Sequence, residues 1–501
     1  MKIVRHASVA LLLVCASCGS TASDATPTTS SAAPSTSTST TAESSTSSSS
    51  TPSRVAEDPR GTDGAGLGLD DPYYPELGNI GIDVSRYDLQ LTVETAEVDS
   101  LVGVATIDFL PRESLESFSL DLVGLTVDSV ELEGVEIPFD QTDTKLNIRP
   151  PGSLGAYIES QIVVEYSGEP KTIESGTTIG SIGWFDAPNA TVTVGEPAGS
   201  RTWFPVNDHP SDKATYRIQL DVPEGLIGVA NGVRTAARTL NGRSLSVWEM
   251  DDPMSSYLTT IAIGDFDLLE GDSAGEVPIR NAVAAPVSSV FDGDFNLTDE
   301  MLVTYEELFG PYPFDEYGAL VVDANFSFAL ETQGRSLFST SFVDGDGSIE
   351  RIVAHELAHQ WFGNHVSPET WRDIWLNEAF ASYAEDLWLE FGKGESLDAL
   401  EARLIERASL FPTPAPGDPG ADDLFAPSVY RRGALTLHAL RVEVGDDAFF
   451  QILRDWLTTY GGSVATTADF ISLAEATSGQ DLREFFDGWL GDGPLPELSN
   501  R

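Results

Sequence analysis

Cysteine occurs at two positions only, Cys15 and Cys18, both near the start of a chain of 501 residues. No intramolecular disulfide is therefore expected in the body of the chain, and its stability has to come from a packed core. Lysine is almost as scarce. Lys2, Lys145, Lys171, Lys213 and Lys393 are the only ones, and 28 Lys+Arg against 79 Asp+Glu leave a formal net charge of −51. Such a surface repels phosphate backbones and anionic headgroups, which excludes nucleic acid as a natural partner. Two readings of the acidity stand open, adaptation to saline surroundings and plain solubility of an exported protein. Beyond the N-terminus no apolar run reaches the roughly eighteen residues a transmembrane helix requires, so no later segment is expected to cross a bilayer. Internal repeats are absent as well.

The apolar run that does exist, Ala7 to Val14, follows Lys2 and Arg5 and is too short to span a membrane but suited to an export signal. It ends in Cys15-Ala16-Ser17-Cys18, which resembles a bacterial lipoprotein cleavage site with Cys18 as the lipidated residue. Cys15 stands where an aliphatic residue is usual, so ordinary secretion with cleavage nearby remains the alternative. Residues 19–60 are mostly Ser, Thr, Ala and Pro at first, a composition that cannot bury enough apolar surface to offset the entropy of ordering, and read as a tether. This predicts residues 1–18 as a signal peptide, 19–60 as a disordered tether and an exported protein held to a membrane only through its lipid.

The remainder is too long for one ordinary core. From 70 to 270 apolar and polar residues alternate, as in Tyr216-Arg217-Ile218-Gln219-Leu220-Asp221-Val222, with Gly, Pro and Asn between the runs. Period two with that punctuation predicts an antiparallel β domain. From 271 to 495 the period lengthens and helices dominate, so the expected fold class is α+β multidomain.

The chemistry concentrates in the second domain. Ser348, after the turn Asp344-Gly345-Asp346-Gly347, is placed to cap a helix running to about Trp361. On that helix His355 and His359 are four residues apart, so both rings can face one metal ion, while Glu356 projects about 100° round the helix, beside the ion. After eighteen intervening residues, Glu378 offers a carboxylate. Two neutral imidazoles and one carboxylate suit a tetrahedral zinc with its fourth position open to water. One Zn2+ per chain is expected, with Glu356 as general base. Zinc-bound histidines normally donate their second ring N–H to a carboxylate or carbonyl. Glu385, seven residues after Glu378 and on the same helix face, can take that part or be a surface carboxylate. His365 lies off the ligand face and reads as structural.

His355-Glu356-x-x-His359 with Glu378 inside Trp375-Leu376-Asn377-Glu378 resembles the aminopeptidase N family of gluzincin metallopeptidases. Asp71-Pro72-Tyr73-Tyr74-Pro75, Gly81-Ile82-Asp83-Val84 and Trp203-Phe204-Pro205-Val206-Asn207-Asp208-His209-Pro210 are similar to segments of that family's N-terminal β domain. The resemblance implies a saddle-like β domain packed on a thermolysin-like catalytic domain, and peptides as substrates. Ala329-Leu330-Glu331-Thr332-Gln333 is similar to the family's exopeptidase motif, with Phe328, Leu330 and Thr332 standing at its Gly, Met and Asn places. By that likeness Glu331 binds the substrate's free amine. Glu196 stands at the family's second amine-binding Glu, although Val194 replaces a usual Gln, and a solvated loop carboxylate is the other reading. Tyr430, in Val429-Tyr430-Arg431-Arg432-Gly433, matches the family's transition-state Tyr; a lone Tyr is otherwise more often packing. Larger members carry a helical C-terminal domain over the cleft, whereas this chain stops about seventy residues after Tyr430, which implies a more open site. Function thus reads as a zinc aminopeptidase. The alternatives are an open-cleft zinc endopeptidase, a hydrolase of non-peptide substrates and a non-catalytic peptide-binding surface lipoprotein.

Overall fold

A computed structural model describes residues 62–499, apart from 96–97, 188–189 and 325. The expected signal peptide, the tether and Cys18 lie outside the described residues.

The period-two segments form an eight-stranded sheet. Its order is Val233–Leu240, Arg243–Ser255, Lys213–Pro223, Ile82–Thr92, Leu101–Pro111, Ser160–Gly168, Thr126–Leu132 and Val135–Glu136. The alternation has its expected cause: along Lys213–Pro223 every second residue is buried, with Tyr216, Ile218, Leu220 and Val222 all inside. The sheet is not antiparallel throughout, because Lys213–Pro223 pairs in parallel with Ile82–Thr92. These strands are brought together by a crossover of more than a hundred residues, and strand composition alone does not encode such a pairing.

Under the sheet, the ring of Tyr87 stacks on Tyr216 at 5.0 Å and meets Phe204 edge-on at 5.4 Å, while Trp203 lies 4.3 Å from Phe204. The polar half of the same segment ties the two parts of the chain together. His209 Nε2 is 3.2 Å from Asp71 Oδ2, and that oxygen also accepts the backbone N–H of Trp371 at 3.0 Å. Asp71 Oδ1 accepts from the N–H groups of Tyr73 and Tyr74. The buried Asp71 and His209 are thus a polar tie that fixes the β part against the helical part.

The expected border at 270 falls inside the strand Phe266–Asp272. That strand forms a hairpin with Pro278–Ala284, whose other edge pairs in parallel with Ala319–Val322, which in turn pairs with Ser336–Ser339. The hairpin therefore belongs to the sheet of the catalytic part. Leu330 bridges to Leu337 at the edge of this sheet through a reciprocal pair of backbone hydrogen bonds of 2.9 and 2.7 Å, which holds the neighbouring Glu331 beside that edge.

Three helices carry the site: Glu350–Ala358, Trp375–Leu387 and Pro427–Val444. Every residue of Trp375–Leu387 is buried. Among the described residues no helix is long and apolar enough to cross a membrane.

Candidate active site

The helix Glu350–Ala358 begins later than its sequence suggests. Ser348 does not cap it; its own N–H is taken by Asp346 Oδ1, and Ile349 occupies the N-cap without a side-chain bond. The turn is held from a distance instead. Asp294, buried, accepts the backbone N–H groups of Asp344, Gly345 and Gly347 at 3.0, 2.7 and 2.9 Å. Gly345 and Gly347 have φ of 84° and 79°, values that suit glycine and let those N–H groups converge on one carboxylate.

From this start the helix places His355 and His359 on one face. Their Nε2 atoms are 3.0 Å apart, and Glu378 Oε2 lies 3.3 Å from the first and 3.5 Å from the second. Ligand atoms about 2.1 Å from a tetrahedral ion stand about 3.3–3.5 Å from one another. The triangle has the size and the N2O composition that suit a tetrahedral zinc. The second ring nitrogens are taken as well: His355 Nδ1 is 3.0 Å from Glu385 Oε1 and His359 Nδ1 is 3.1 Å from Phe362 O. Both Nε2 lone pairs therefore point into the site.

Electrostatics separates the carboxylates. Burial works against an ionised Glu378, yet the charge and hydrogen bonds of the two imidazoles outweigh it and hold the group at about 2. Glu356 has no such partners for Oε2, which is buried without a hydrogen bond. Burial, with help from Glu331 and Glu378 and against the pull of the imidazoles, pushes it up to about 8. The positive charge of a metal ion beside it would lower that value. Burial opposes a charged His355 ring, and the bonds to Glu378 and Glu385 outweigh it, raising the ring to about 10; metal ligation replaces that proton.

Glu331 and Glu196 stand beside the metal triangle, one next to the catalytic sheet edge and one from the β part. Glu196, Glu331 and Glu378 each contribute an oxygen to a cluster whose atoms lie within 4.8 Å of one another. Glu196 is 2% exposed and Glu331 3%, and Oε1 of each is buried with no hydrogen-bond partner. Burial first and the neighbouring carboxylates next raise Glu196 far above the usual range; burial also raises Glu331, against the pull of His359. Two buried carboxylates this close together favour their neutral forms when alone, and they suit a ligand that brings a positive charge between them. The backbone of Glu331 is itself fixed, since its carbonyl accepts from Asn364 Nδ2 at 2.6 Å and Gln360 Nε2 at 3.2 Å.

Tyr430 sits in the first turn of Pro427–Val444, which starts with Pro in place of an unsatisfied N–H. Its ring stacks 6.1 Å from that of His355 at an angle of 23°. Burial, then the carboxylates led by Glu378, pushes its hydroxyl well above the ordinary range, so it remains a donor. These groups, with Ile179, Phe328 and Phe425, line a cavity of about 280 Å³. Each site residue predicted from the second domain is thus in one place, and Glu196 joins them from the first. Glu385 touches His355 and is no surface carboxylate. His365 stays outside the cavity; burial and the nearby Lys213 lower it to about 4.

Several contributors were missed in the sequence reading. Tyr257, from the β part, donates to Gly363 O at 3.1 Å and accepts from Asn377 Nδ2 at 3.1 Å, bridging the loop after the first metal-site helix to the first turn of the second. Lys213 Nζ donates to Asn364 O, His365 O and Ser367 Oγ at 2.7, 3.2 and 3.1 Å. Arg351 contacts Glu385. All three belong to residue types that usually face solvent or pack generically, and their partners are remote in sequence. Only Arg351 had a readable cue, its four-residue spacing from His355.

The comparisons with known proteins agree with this geometry. The family described as "Peptidase M1 N-terminal domain" matches residues 84–258, and "Peptidase family M1 domain" matches residues 294–489. The crystal structure of an M1 zinc metallopeptidase mutant from Deinococcus radiodurans superposes with a TM-score of 0.81 at 32% identity, covering 87% of this chain and 100% of that one. The chain belongs to the M1 peptidase family. Another structure of that Deinococcus M1 enzyme, bound to a Tyr-Ser-Ala substrate, matches with a TM-score of 0.80 at 32% identity over 86% of this chain and 99% of that one. Among curated M1 relatives, leucyl aminopeptidase of Saccharolobus solfataricus is 26% identical over 82% of this chain and 53% of its own length. Aminopeptidase M1 of Arabidopsis thaliana is 29% identical over 62% of this chain and 38% of its own. The chain spans about half the length of these curated relatives or less. Membership in this family of zinc enzymes accounts for the N2O triangle and makes zinc its metal.

Proposed function

We propose that the chain is a zinc-dependent aminopeptidase that removes N-terminal residues from peptides, using His355, His359 and Glu378 to hold the metal. The observation that carries the exopeptidase reading is the pair Glu331 and Glu196, two buried carboxylates with unpartnered oxygens beside the metal triangle. A substrate's protonated α-amine supplies the missing cation, and a blocked N-terminus does not. Zinc held there supplies a Lewis acid that polarises the scissile carbonyl and lowers the pKa of a coordinated water toward about 7.

The side chains do the rest. Glu356 accepts the proton of the attacking water and returns it to the departing amine. Tyr430 donates its hydroxyl hydrogen to the oxygen that gains charge in the tetrahedral intermediate. Glu331 and Glu196 fix the amine so that the first peptide bond lies at the metal. Glu331→Ala should erase the preference for free over N-acetylated peptides, chiefly by raising KM. A variant that keeps the full preference removes Glu331 from the amine site. Internal cutting of acetylated peptides by the wild type, as fast as free ones are trimmed, favours the endopeptidase alternative.

The location is part of the same proposal: an exported lipoprotein anchored through Cys18, supported by the short apolar run, the small residues before Cys18 and the Ser/Thr/Pro-rich segment after it. In a bacterial host Cys18→Ser should shift the protein from the membrane fraction to the soluble one. Wild-type protein found wholly in the medium would mean plain secretion.

A further inference from the structure

A metal-binding imidazole is held in one tautomer by whatever its second nitrogen donates to. For His355 that acceptor is Glu385 Oε1, 3.0 Å from Nδ1. Glu385 is at the end of a flexible side chain, so its own orientation has to be fixed by something else. Its other oxygen, Oε2, accepts from both Nε and a terminal nitrogen of Arg351, at 3.0 and 2.8 Å. The same terminal nitrogen of Arg351 donates to Asp386 Oδ1 at 3.1 Å. Asp386 is in turn gripped by Arg403 Nε at 2.8 Å, and Arg403 reaches Glu395 at 2.6 Å. Alternating charges therefore run from the outer helix Leu397–Leu410 to the back of the metal triangle.

Geometry makes Arg351 the hinge of that chain. It lies four residues before His355 on the same helix, so its guanidinium and the imidazole leave one face and meet Glu385 from two sides. Glu385 and Asp386 are adjacent and both buried, at 9% and 1% exposure. Without a cation between them, two carboxylates would repel at low dielectric, and Glu385 would swing from His355. A lysine keeps the charge but lacks the planar fork that holds one oxygen from two nitrogens.

We propose that Arg351 is a positioning residue for the metal site: by clamping Glu385 Oε2 it keeps Oε1 aligned on His355 Nδ1, and so keeps His355 Nε2 aimed at the zinc. The inference rests on the metal reading alone and not on the mode of cleavage. Its main readout, zinc affinity, is taken without substrate, so a protein that binds zinc but trims no peptide leaves it standing.

The test compares wild type, Arg351→Met, Arg351→Lys, Glu385→Gln and the double variant Arg351→Met with Glu385→Gln, each as the full chain. Zinc affinity is measured by competition with a chelator, folding by thermal melting, and kcat and KM at saturating zinc. Arg351→Met should loosen zinc roughly 10–100-fold, as expected for losing the support of a metal ligand. The double variant should be no looser than its weaker-binding parent within about threefold, because both changes act through one contact. Arg351→Lys, which keeps the charge and should melt near the wild type, should still loosen zinc, with kcat falling and KM nearly unchanged. Zinc affinity within about threefold of wild type in the Met variant, or in the Lys variant if the Met variant fails to fold, overturns the proposal. Losses that multiply in the double variant overturn it as well.

Discussion

Glu356 and Tyr430 are the two side chains whose removal separates chemistry from metal binding. Neither belongs to the N2O triangle, and Glu356 Oε2 makes no hydrogen bond that a substitution would break. Glu356→Gln should therefore keep stoichiometric zinc and lose roughly 10²–10⁴-fold in rate, the usual contribution of a general base. Metal analysis showing zinc lost with activity, or near-normal turnover, contradicts the assignment. Tyr430→Phe keeps the ring that stacks on His355 and removes only the donor, so kcat should drop by roughly 10²–10³. A change confined to KM would make Tyr430 a binding residue. At this scale the sequence was informative where chemistry imposes a spacing. Two imidazoles four apart on a helix face one ion, and the likeness of the surrounding motifs placed Glu331, Glu196 and Tyr430. It was silent on Tyr257 and Lys213, whose contacts join residues more than a hundred positions apart.

Helix packing brings Glu378 and Tyr430 into one cavity, and Gly433 sets how closely. A Cβ on Gly433 would lie 2.5 Å from Cβ of Ala379, the residue after Glu378, in a helix with no exposed side to yield toward. Gly433→Val should force the helices Trp375–Leu387 and Pro427–Val444 apart, destabilise the fold by about 1–3 kcal/mol and cost activity beyond that loss. Thermal melting and assays well below the melting point check both parts; an unchanged melting temperature means the helices are not in this contact. Elements were legible wherever burial is periodic, as along Lys213–Pro223. Helix ends were less so: Ser348 has the residue type of a cap, but Asp294, more than fifty residues earlier, already satisfies the N–H groups of the turn. The parallel pairing of Ile82–Thr92 with Lys213–Pro223 and the membership of Phe266–Asp272 in the catalytic sheet are decided by partners, which strand composition does not name.

Across the whole molecule, the site is a composite. The helical part supplies the metal triangle, Glu356 and Tyr430, the catalytic sheet edge supplies Glu331, and the β part supplies Glu196 together with the ties through Tyr257, Lys213 and Asp71. On the proposed reading a free amine meets both carboxylates only while these parts are docked, so mode of cleavage would report on the assembled molecule. The most direct test incubates the purified protein with a mixed set of peptides, each present free and N-acetylated, and follows products by mass spectrometry with and without a zinc chelator. Stepwise loss of single residues from the free N-termini, sparing of the acetylated peptides and an end to the trimming when the chelator is present are the predicted results. Trimming that persists after zinc removal, or acetylated peptides cut internally as fast as free ones are shortened, contradicts it.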